Sequence, residues 1–87
     1  MLNGDDRIAH ERGVAFLRSA TAGMRVVIRH RLDDGSATDA LGWLHVADTE
    51  HVVVATRRGL ETVALSRVVA AKEVPPPPAP RERIRPA

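Results

Sequence analysis

The sequence predicts an all-β fold: a small barrel of about five short strands, with a short helix before it and a disordered proline-rich tail after it. Three observations carry that expectation. Between residues 24 and 74 apolar and polar residues alternate with a period of two in short runs, as in half-buried strands. Turn-forming clusters separate the runs at intervals of about ten residues, the spacing of a small barrel. The apolar supply is mostly Val, Ala and Leu, with one Trp (Trp43), one Phe (Phe16) and no Tyr. That supply suits thin β-structure better than a helical bundle packed through large side chains.

The elements follow in order. Residues 1–23 mix charge with Ala and Gly. Asp5 or Asp6 caps a short helix reaching about Leu17, with Ile8, Phe16 and Leu17 as its apolar contribution and Gly13 as an interruption. MRVVIRHRL is the first strand, with Val26, Ile28 and Leu32 on one face and Arg25, Arg29 and Arg31 on the other. DDGSATD is a polar turn cluster. ALGWLHVA resumes as a strand in which Gly42 marks a bulge or a close backbone approach. HVVVAT follows a short DTE turn, and RRG makes a tight turn with Gly59 free to take positive φ. LETVALS turns Val63 and Leu65 inward, and SRVVAAKEV closes the zone with a 3₁₀ turn and a short strand. Val26, Ile28, Val53 and Val63 are the expected core. The domain organisation is therefore an N-terminal segment (1–23), a barrel (24–74) and a proline-rich linker or tail (75–87). In the last, PPPPAP is extended polyproline II.

Composition removes several function classes. The chain has no cysteine, so it carries no disulfide framework or thiolate metal site, which fits a reducing cytosol. It has no apolar run of about 18 residues to span a membrane, and its first residues lack the layout of a signal peptide. Cytoplasmic location is the expectation. The net charge of +2 lies entirely in the tail: residues 1–71 carry nine Arg against nine Asp and Glu. The folded part is not a basic protein.

The candidate chemistry is sparse. His10, His30, His45 and His51 read as surface strand or helix residues rather than a zinc site, which needs three or four convergent ligands. Asp33 and Asp34 read as turn formers rather than an acid–base pair. No nucleophile elbow, P-loop or HExxH is present. The expectation is no catalysis by this chain alone, no metal and no cofactor. Arg25, Arg29 and Arg31 form a basic stripe, joined by Arg57 and Arg58, with Trp43 as the one side chain on which a base could stack. These six are the candidate interaction surface. A groove reading proline-rich peptides needs several aromatic rings, so the proline run reads as a spacer rather than a ligand.

Two stretches resemble a known family: GMRVVIRHRLDDGSATDALGWL, and HVVVATRRGLETVALSRVVAAKEVPPPP. They are similar to the SH3-like N-terminal domain of actinobacterial GNAT-type acetyltransferases, a group including putative histone acetyltransferases and N-acetylglutamate synthase-like proteins. The similarity lies in a G-x-R-V-V-x-R opening strand, a G-S-x-T-D-A-L-G stretch, a V-x-T-R-R-G turn and a V-V-A-A-K-x-V-P-P-P-P exit. It covers about residues 18–80. It implies an SH3-like barrel and a spacer leading, in that family, to an acetyl-CoA-binding catalytic domain. No residue after Pro78 matches that domain's glycine-containing loop, so none of its catalytic or cofactor residues is carried over.

The functional expectation is a non-catalytic accessory or interaction module that partners a GNAT acetyltransferase domain or another protein. The alternative is a small nucleic-acid-binding barrel using the arginine stripe. The expected state is a monomer, or a weak homodimer through an open strand edge, with no membrane partner.

Overall fold

The computed structural model describes residues 4–77. They form one helix, α1 (Gly4–Ser19), and five strands: β1 (Arg25–Arg31), β2 (Ala37–Ala47), β3 (His51–Thr56), β4 (Gly59–Ala64) and β5 (Val68–Glu73). A 3₁₀ turn, Leu65–Arg67, links β4 to β5 as the sequence predicts. The strands make one antiparallel sheet in the order β4-β3-β2-β1-β5, so β4 and β5 are its edges. Among the described residues no helix is long and apolar enough to cross a membrane. The end of the proline run and the arginine-rich residues after it lie outside the described part.

Alternation builds the core. Val26 and Ile28 of β1, Ala40 and Leu44 of β2, Val52 and Val54 of β3 and Val63 of β4 are buried, together with Leu65, Val68 and Leu17 of α1. Three expectations about individual residues are corrected. Val53 is only half-buried because Val52 and Val54 take the inward positions of β3. Leu32 is exposed because β1 ends at Arg31 and residue 32 already belongs to the turn. Ile8 is exposed on the outer side of α1.

The helix is longer than expected and runs straight through Gly13, which is buried in it. A Cβ there would stand 3.0 Å from the Ala71 nitrogen and 3.1 Å from a Val68 methyl. The glycine thus lets α1 lie directly on β5, which stabilises that edge by covering it. His10 adds a side-chain hydrogen bond from Nδ1 to the Val68 carbonyl (2.5 Å). Gly42 is the close approach that the sequence predicts: a Cβ would fall 2.0 Å from the Ala55 carbonyl oxygen. The bulge lies beyond it, where the β2–β3 register shifts between Leu44 and Val46.

Two aspartates shape the turns. The Asp34 carboxylate accepts hydrogen bonds from the Ser36 hydroxyl (2.6 Å) and N–H (2.9 Å), which hold it below the ordinary carboxyl value of 3.8. Asp48 is lowered likewise by the N–H groups of Glu50 and His51, each at 2.7 Å. Asp33 pairs with Arg67 at 2.8 Å. Both members of the Asp33–Asp34 pair therefore have structural partners.

Candidate functional site

The outward face of the sheet is where the sequence-predicted surface residues are distributed. Register places Arg25 opposite Trp43, Trp43 opposite Ala55, and Ala55 opposite Leu60. One row therefore crosses β1, β2, β3 and β4 with Trp43 near its middle. Leu41 stands two residues from Trp43 on the same face and faces Val27 of β1. Trp43 and Leu41 are each 44% exposed and Leu60 is 65% exposed, an apolar strip at the surface. Leu41 and Trp43 lie two residues apart on β2, and Ala55 of β3 stands between Trp43 and Leu60, so the three share one face of the sheet.

An open cleft of about 730 Å³ runs along Leu41 and Trp43, with Arg25, Arg57 and Arg58 and the carboxylates of Asp39 and Glu61 in its lining. The β3–β4 turn delivers the two arginines. Thr56 Oγ1 donates to the Gly59 carbonyl (3.0 Å) and accepts the Arg58 N–H (3.1 Å). Gly59 takes φ of +118°, which a side chain would resist. Arg57 and Arg58 form no ion pair among the described residues.

The predicted arginine stripe divides. Arg25 joins Trp43, Arg57 and Arg58 at the cleft and donates to the Pro75 carbonyl at 2.7 Å. Arg29 instead contacts Asp39, 3.5 Å away, and lines a separate hollow with Val27 and Lys72. Arg31 reaches the Gly35 carbonyl at 3.5 Å. The strand twists and each arginine meets a different neighbour, so alternation alone could not place all five on one surface.

His30 corrects the reading of the histidines as surface residues. It continues the inward phase of Val26 and Ile28 and is only 6% exposed. Its Nε2 lies 3.8 Å from the Glu61 carboxylate, too long for a direct hydrogen bond. The period of two was signal enough to find it. Among the described residues no three His, Asp or Glu side chains gather as metal ligands.

A family model described as the Rv0428c N-terminal Sm-like domain matches residues 20–72. No curated protein and no solved structure matches the chain. The matched span begins just after α1 and holds β1 to β4 and nearly all of β5, so the match covers the five-stranded antiparallel sheet. By that match, over more than half its length, the chain belongs to the Rv0428c N-terminal Sm-like domain family.

Proposed function

We propose that this domain is a non-catalytic docking module that holds a protein partner against the Trp43 face of its sheet. The partner that the sequence resemblance implies is a GNAT-type acetyltransferase domain. The observation that carries the reading is the exposed pair Leu41 and Trp43 in a cleft that Arg57 and Arg58 also line, both without ion pairs among the described residues, beside Asp39 and Glu61. Trp and Arg are the residues that most often anchor interface centres, where removal of one anchor costs about 2 kcal/mol or more.

The test is titration of this chain with a purified GNAT-type acetyltransferase domain, followed by calorimetry. Trp43→Ala should weaken the complex by roughly tenfold or more. Equal affinity of wild type and variant, or no complex, overturns the assignment. Acetyl-CoA turnover by the purified chain alone would remove the word non-catalytic.

A second reading is favoured by one feature, the placing of an exposed Trp43 between Arg25 and the Arg57–Arg58 pair. A single-stranded RNA base could stack on the indole while arginines meet phosphates. Tight, salt-sensitive binding of RNA oligonucleotides would favour it over the protein partner.

A further inference from the structure

The chain leaves β5 beside the Trp43 cleft. Val74 donates its N–H to the Arg25 carbonyl at 2.9 Å, one residue beyond the last β1–β5 pair, Val26 with Glu73. Pro75 cannot extend the ladder, having no N–H. Its carbonyl is taken instead by the Arg25 guanidinium at 2.7 Å. Two residues on, Pro77 forms part of the cleft wall together with Arg25 and Trp43. Pro75, through its carbonyl, and Pro77, in the wall, are thus the two described prolines that meet the cleft.

We propose that the Trp43 cleft is a docking groove for a polyproline segment, and that the chain's own Pro75–Pro77 take up its Arg25 end. The inference rests on reading this cleft as a docking surface. Its chemistry fits the ligand. A polyproline II strand makes no internal hydrogen bonds, so its carbonyls are open acceptors for a donor such as Arg25. Its rings present flat apolar faces to an indole, and its fixed φ leaves little conformational freedom to lose on docking. A free peptide would need several aromatic rings to be held, and this cleft has one. A tethered strap needs far less intrinsic affinity, since a short connection gives it an effective concentration of about millimolar. Held at the Arg25 end of the cleft, Pro75–Pro77 compete with a partner that docks there.

Trp43 is the sole tryptophan, so its fluorescence reports this cleft alone. The experiment compares acrylamide quenching in the full chain with that in the full chain carrying Pro76→Ser, Pro77→Ser and Pro78→Ser, and separately Arg25→Gln. If the strap occupies the cleft half the time or more, quenching should rise roughly twofold in the serine variant, and rise also in Arg25→Gln. Equal quenching in all three proteins overturns the proposal. Partner titration separates the two readings. A strap that competes makes the serine variant bind the acetyltransferase domain roughly two- to tenfold tighter. Unchanged quenching with intact Trp43-dependent binding defeats the strap alone. Altered quenching with no complex defeats the partner and leaves the strap.

Discussion

Val52 and Val54 are fully buried whereas Val53, between them, is not. The difference is phase: adjacent strand residues face opposite ways, so a one-residue error in reading β3 moves its whole apolar set to the other face. HVVVAT has three consecutive valines, and alternation within it is silent about which is inward. Register decides it, by pairing Val54 with Leu44 and Val52 with Val63, both of them buried residues. Val54→Ala should therefore cost about 1–4 kcal/mol through lost burial and a residual cavity. Val53→Ala should cost less than about 1 kcal/mol. Urea denaturation of the two variants checks this, and equal losses would contradict the register. In β1 the same alternation is unambiguous, so Val26 and Ile28 were legible from sequence and His30 could have been.

At the scale of elements, α1 shows what a sequence pattern conceals. Gly13 reads as a weak point because glycine costs a helix about 1 kcal/mol relative to alanine. In the structure that local cost coexists with close packing, which depends on β5, some 55 residues later. Gly13→Ala sets the two effects against each other. The helix gains about 1 kcal/mol, while the new methyl presses on the Ala71 backbone nitrogen, held in the β1–β5 ladder. Overpacking of this kind costs about 1–3 kcal/mol, so the variant should melt several degrees lower. A higher melting temperature would mean that α1 shifts freely on the sheet. The turns carry a different prediction. Asp34 and Asp48 have folded pKa values depressed below 3.8, so at low pH the unfolded state binds more protons. Their contribution is present above pH 3.8 and is lost as pH falls through the depressed values. The urea midpoint of wild type should drop further between pH 5 and pH 2.5 than that of Asp34→Asn/Asp48→Asn. Parallel curves would show that these caps do not titrate with folding.

For the molecule as a whole, charge and shape point to different partners, and salt separates them. Five strands at ten-residue spacing were legible because each is a local pattern. Arg25, Trp43, Arg57 and Arg58 were named from sequence, but their meeting with Leu41 in one cleft, and the departure of Arg29 and Arg31 from it, come only with strand pairing. Residues 1–71 carry nine Arg and nine acidic residues, so the folded region has no net field to attract a polyanion. The Trp43 cleft combines exposed apolar side chains with three arginines, Arg25, Arg57 and Arg58, and two carboxylates, Asp39 and Glu61. A protein partner seated there draws its affinity from buried Trp43 and Leu41, and exposed charge pairs add little and are screened over about 8–10 Å. Its binding constant should be nearly flat between 50 and 300 mM salt. Single-stranded RNA held by Arg25, Arg57 and Arg58 would release about three counterions. The logarithm of its binding constant would then fall with that of salt at a slope near roughly −2. A flat profile with the protein partner, beside weak and steeply salt-dependent oligonucleotide binding, makes the Trp43 face a protein-docking surface. The reverse pair of profiles would make the same residues an RNA platform.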